Sequence, residues 1–301
     1  MRPVAPEDFI LRTAKRLHEI KKPSLTVSEL AEFKANVSCL EFSTGRPSNS
    51  NCPELLTLRS VRDIRNFVNE VEPCIEDGTD EWRNFVPETP FRSDSEAMGC
   101  YRSAKYLSTI VQVWLDAFPK KWPKTLDIAN KRRQGTLLRQ TDWRERSDRA
   151  AESWLGADDE DKYIWRSEIT YHGLLPIEYG QGKPPCDPNM PHAIYHAVDS
   201  TPFDDPIIRM SEFKSIVFLA IVNNMKPGYN NLDCFGVTVL SFWKTSVRIV
   251  QGLVNLKTRN IDPRVSKIQD FSNGFWNDGV IDDRFLALLA YNCGEVVPLR
   301  K

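Results

Sequence analysis

The sequence predicts an α+β protein, helical through its N-terminal half, with a small C-terminal unit of two to three antiparallel strands packed on helices. Three observations carry that expectation. Apolar residues recur at helical spacing through the first 120 positions; seven prolines and three glycines fall between Tyr171 and Pro206; and two runs rich in β-branched and aromatic residues stand side by side near the C-terminus. On this basis the chain divides into a mainly helical region (1–155), a Pro-rich acidic connection (156–210) and an α+β unit (211–301).

The first helix opens at Pro6-Glu7-Asp8, turns Phe9, Ile10, Thr13, Leu17 and Ile20 to one side, and ends at Lys21-Lys22-Pro23. A second is expected from Thr26, which forms a capping box with Glu29, and its apolar face of Leu30, Phe33, Val37 and Leu40 carries it to residue 40. After a loop rich in Gly, Pro, Ser and Asn, Pro53 stands where a third helix begins, with Leu58, Val61 and Val68 on one side and Pro73 after it. Arg59, Arg62 and Arg65, three apart, read as a solvated face. The strongest helical pattern runs from Asp94 to Phe118, through Leu107, Ile110, Trp114 and Phe118 up to Pro119. Residues 125–154 read as a helix interrupted near Gly135. In the last third, Ser211–Met225 is expected to be helical. Gly236–Trp243 and Val247–Val254 read as a hairpin joined at Lys244–Ser246, with a third strand through Leu256–Ile261 and a final helix capped by Asp282.

Composition narrows the class without naming an activity. With 301 residues, 41% hydrophobic, and 40 Lys+Arg against 41 Asp+Glu, the chain is neither disordered nor collagen-like, and its overall charge does not drive it onto nucleic acid or membrane. The longest apolar run, Ile216–Val222, is too short to span a bilayer, which takes about 20 residues. Acidic and basic residues interrupt the first twenty positions, so no export signal is expected. The seven widely spaced cysteines therefore read as reduced thiols of a cytoplasmic or nuclear protein.

Three clusters carry candidate chemistry. Between Pro119 and Arg149 ten Lys/Arg face four Asp/Glu, including Lys131-Arg132-Arg133 and Arg139, with Trp122 and Trp143 interleaved; cations neutralise phosphates and indoles stack on bases. The following block, Ala150–Glu212, holds twelve acids against four bases, so the leading expectation is that the two blocks are structural or pair with each other, ahead of a nucleic-acid contact, an import signal or a protein partner. In the second cluster His192 and His196, four apart after Pro191 and near Cys186, Asp187 and Asp199, would share a helical face as zinc-binding histidines do, but Ala193 stands where a zincin has Glu. In the third, Asp204 and Asp205 precede Glu212-Phe213-Lys214. On a strand Glu212 and Lys214 share a face, where Asp205 and Glu212 would hold Mg²⁺ and Lys214 would steady the attacking water of a metal-dependent nuclease; on a helix they diverge.

The tail from Glu212 to Leu289, with Val237–Ser241 and Arg248-Ile249-Val250-Gln251 in its two apolar strands, resembles an arrangement that recurs in fungal open reading frames, some of them nuclease-like. The resemblance implies no residue assignments. Because no complete catalytic constellation is present, the leading expectation is a non-catalytic intracellular protein that acts through an unknown protein partner and needs no cofactor. The alternative is a nucleic-acid-binding protein with a divergent or inactive nuclease-like domain that uses Mg²⁺.

Overall fold

A computed structural model describes residues 6–74, 96–120, 136–138, 141, 143–146, 158–160, 163–174, 190–204, 208–225, 232–277 and 279–299. Its centre is a nine-stranded mixed sheet. In chain order the strands are β1 (Ser38–Leu40), β2 (Trp143–Arg146), β3 (Asp158–Glu160), β4 (Tyr163–Leu174), β5 (His192–Asp199), β6 (Cys234–Trp243), β7 (Ser246–Asn255), β8 (Asn260–Ser266) and β9 (Gln269–Asp270). The lateral order is β1-β8-β7-β6-β5-β4-β2, with β3 on β4 and β9 on β7. β5 runs parallel to β6, and β1 parallel to β8; the other pairings are antiparallel.

The described helices are α1 (Pro6–Glu19), α2 (Val27–Glu32), α3 (Val61–Val71), α4 (Glu96–Asp116), α5 (Met210–Asn224) and α6 (Asp283–Asn292). Two apolar cores follow from the two-residue period of the strands. Ala193, Tyr195, Val237, Val239 and Val250 face α5, α1 and α2, whereas Ile194, Val198, Leu240, Phe242 and Ile249 face α4, α6 and α3. Layers of helix, sheet and helix therefore replace the expected helical half and small hairpin unit. Strands from all three sequence segments meet in one sheet.

The departures from expectation have local causes. The second helix ends at Glu32 rather than continuing to residue 40. Lys34 takes a left-handed conformation (φ 55°), and Ser38–Leu40 extends the sheet beside β8. Leu30, Phe33, Val37 and Leu40 fit a helical stripe, but Leu40 is buried as a strand residue, and tertiary pairing overrides the period. The third helix starts after Ser60, whose hydroxyl accepts from the Asp63 amide, and not at Pro53. Trp143–Arg146, expected as helix, is strand. The Pro-rich stretch holds the end of β4 and all of β5. Its breakers cluster on either side of His192–Asp199, leaving eight residues free of Pro and Gly that are buried on both faces, as a central strand is. The third expected strand lies further along, at Asn260–Ser266, because Arg259 (φ 57°) and the Asn255 side chain, which accepts from the Thr258 amide, turn the chain first.

The β5–α5–β6 crossover positions most of the chemistry considered below. α5 is buried at every position from Met210 to Asn223, as expected of a helix held between a sheet and α1. It packs directly on backbone: a Cβ at Gly252 would lie 2.4 Å from Ile216 Cγ2. Gly252→Ala is therefore expected to lower stability by about 1–3 kcal/mol through overpacking. Urea unfolding checks this, and a variant as stable as wild type would contradict the close approach.

Candidate functional site

The C-terminal ends of parallel β5 and β6 are where crossover folds commonly place ligands. Here that region holds an ionic network. The Glu212 carboxylate, in the first turn of α5, accepts from Arg248 Nε (2.8 Å) and Nη2 (2.6 Å), from Arg209 Nε (3.3 Å) and from the Arg209 amide (2.9 Å). Arg209 also donates to the Thr201 carbonyl (2.9 Å) and to Ser241 Oγ. Asp199, at the end of β5, accepts from Ser211 Oγ and from the Thr201 amide (2.7 Å). Phe203 lies over both guanidinium groups, 4.2 Å and 4.8 Å from its ring centroid. Burial alone would push the Glu212 carboxyl up. The charge of Arg248, then that of Arg209, outweighs burial and holds the group at about 2. A carboxylate so fully committed is neither a base nor a metal ligand unless an ion pair breaks first.

This corrects the nuclease geometry. Glu212 and Lys214 lie on α5, where ~100° per residue separates their directions by about 200°. The shared strand face that a metal and its water would need is absent. Asp204 is exposed, and Asp205 lies outside the described residues. So do Lys131, Arg132, Arg133 and Arg139 of the basic segment, and Cys186 and Asp187 of the histidine cluster.

The histidines are also corrected. They sit on β5, not on a helix, so four residues separate them by about 13 Å along one sheet face, too far to share an ion. Among the described residues no group of three or more His, Cys, Asp or Glu is placed to hold a metal. His192 Nε2 pairs with Thr238 Oγ1 (3.0 Å), and its ring meets Trp143 edge-on. His196 bridges two helices: Nδ1 meets Ser108 Oγ of α4 (3.0 Å) and Nε2 meets Asn292 Oδ1 of α6 (3.1 Å). The Asn292 amide donates to the Leu288 carbonyl, leaving Oδ1 as the acceptor for Nε2–H and Nδ1 as the acceptor for the Ser108 hydroxyl. This is the connectivity of a hydroxyl nucleophile, its base and an orienting amide. However, all three side chains have no exposed surface, and burial lowers His196 to about 4 despite its bond to Asn292. A reacting carbonyl has no approach, so the bridge fastens α4 and α6 to the sheet. Next to it, burial pushes the Cys293 thiol up to about 12, which leaves it inert.

An open site lies elsewhere. A groove of about 810 Å³ runs between α2, β1 and the end of β8, lined among others by Val27, Leu30, Cys39, Phe42, Lys267 and Arg284. That volume falls in the range typical of ligand sites, about 300–1,000 Å³.

Sequence reasoning passed over Arg209, Ser108 and Asn292, and placed Arg248 in an apolar strand without giving it a role. Arg248 did carry a signal: a lone cation inside the apolar run Val247–Val254 marks a buried ion pair. Compared with protein-family models, with curated proteins and with solved structures, the chain matches none. Among the described residues no helix is long and apolar enough to cross a membrane.

Proposed function

We propose that the chain is a non-catalytic protein of the cytoplasm or nucleus, and that it binds a partner polypeptide in the groove beside β1. The observation that carries this reading is a division of chemistry. Glu212, His192 and His196 are consumed in the core, while the accessible groove is apolar-walled and holds two cations, Lys267 and Arg284, against one acid, Glu41.

Arg284 is already paired with Asp282, so Lys267 is the cation left to meet an incoming charge. The fitting occupant is a segment with apolar side chains and an Asp or Glu. Strand addition is not the mode of binding, because the outer edge of β1 is closed by its own turn: the Ser48 amide donates to the Cys39 carbonyl (3.0 Å), and the Glu41 amide to the Arg46 carbonyl (2.8 Å). A nucleic acid would need a row of unpaired cations, which the groove lacks.

The test is selection of a random-peptide display library on the full chain. Enriched peptides are expected to combine apolar residues with an acid. Their binding should weaken at least tenfold in Val27→Glu/Lys267→Glu, two exposed positions, and persist in Lys15→Glu on α1. No enrichment, or peptides indifferent to the groove variant, would overturn the proposal.

A further inference from the structure

The most anomalous polar placement in the described fold lies on the sheet face towards α4 and α6. Gln251 of β7 and Arg264 of β8 are directly opposed in the antiparallel register, and Thr238 of β6 is opposed to Gln251 on its other side. With His192 bonded to Thr238, four polar side chains form a row across a face whose other buried polar side chains, His196 and Ser266, have hydrogen-bond partners. Gln251 and Arg264 are both 0% exposed. Arg264 Nη1 donates to the Pro53 carbonyl, but its Nε and Nη2 have no partner, and neither the oxygen nor the nitrogen of the Gln251 amide has one.

Polar groups in this condition call for a physical explanation. The guanidinium cannot shed its proton, and no carboxylate among the described residues forms an ion pair with it. Asp262, whose charge favours it, accepts instead from Asn260 Nδ2 (2.8 Å). Water would satisfy the hydrogen bonds but leave the charge. The two unpartnered atoms, Nε and Nη2, form the side edge of the guanidinium, whose parallel N–H groups match two coplanar oxygens. Beside them Gln251 supplies one further donor, Nε2, and one acceptor, Oε1.

We infer that Arg264 and Gln251 form a binding site for a small carboxylate, gripped side-on by Arg264 and flanked by the Gln251 amide, beneath the segment that carries Cys52 and Pro53. The acceptor Oε1 favours a carboxylate with a neighbouring hydroxyl. None of the four unpartnered atoms touches solvent, so the ligand enters when residues 43–54 lift, and the Pro53 carbonyl is the contact that closes over the guanidinium. That segment is rich in Gly, Pro, Ser and Asn and is largely exposed, and lifting it breaks the Ser48–Cys39 hydrogen bond to β1 along with the Pro53 contact.

The inference is independent of the groove, and its test is calorimetric titration and thermal unfolding of the full chain with acetate, glycolate, inorganic phosphate and sulfate, at ionic strength matched with chloride. Saturable binding of acetate, with glycolate tighter, is expected, together with slowed hydrogen exchange at the Cys52 amide. Gln251→Met should weaken glycolate binding at least tenfold while raising the unfolding midpoint without ligand, because an unpartnered buried amide gives way to an apolar side chain of similar size. Arg264→Lys, which keeps the charge and loses the fork, should abolish it. Val27→Glu/Lys267→Glu should bind glycolate as wild type does. Absence of saturable carboxylate binding in the wild type, saturation by phosphate or sulfate alone, or undiminished binding in Gln251→Met would each overturn the inference.

Discussion

Glu212→Gln is expected to destabilise the fold by about 3–5 kcal/mol, the cost of removing one partner from a buried ion pair. The substitution is nearly isosteric, so packing changes little. It leaves Arg209 and Arg248, both almost wholly buried, with their shared anion gone. In urea the midpoint should fall by about 1 M or more at an unchanged slope. Replacing the three charged residues together by apolar side chains of similar size should cost less, because the ion-paired charges leave together and Asp199 keeps its hydrogen bonds from Ser211 and the Thr201 amide. The same experiment separates structure from catalysis. A metal-binding Glu212 would lose activity in Glu212→Gln while stability held, so a fully stable variant would contradict the network described here.

Stability is also expected to fall by about 4 kcal/mol between pH 7 and pH 5, about 2 kcal/mol from each buried histidine. Burial, reinforced at His192 by the charge of Arg264, lowers His192 to about 3, and burial lowers His196 to about 4. Unfolded histidine titrates near 6.5. Between pH 6.5 and about 4 the unfolded chain therefore takes up protons that the native state refuses, and stability declines as pH falls through that window. Above it the contribution is flat. Glu212 extends the decline below pH 4.5: its native carboxyl, at about 2, stays ionised while the unfolded one protonates. Unfolding curves at pH 5, 6 and 7 check the slope, and His196→Gln should remove about half of it. A stability unchanged from pH 7 to pH 5 would mean that the histidines are hydrated in the native state.

Local signals in the sequence were enough for elements whose ends are chemically marked. The Thr26–Glu29 capping box, the Asp282 cap, the helix from Met210 and the β6–β7 hairpin appear within a few residues of where their residues place them, because caps and turns act between near neighbours. Local signals failed where a segment's partner is distant. Ser38–Leu40 is a strand only because β8, more than 220 residues later, offers an edge, and His192–Asp199 is a central strand only because β4 and β6 flank it. The same limit governs the sites. Glu212-Phe213-Lys214 has a nuclease's spacing whichever element it forms, and His192 and His196 have a metal pair's spacing only on a helix. The sequence by itself determined the composition, the absence of a long apolar span and the elements closed by their own caps. The tertiary structure alone decided which charges are buried against each other and which buried polar atoms, those of Gln251 and two of Arg264 among them, are left without partners. Burial and pairing depend on residues far apart in the chain, and periodicity and spacing describe only neighbours.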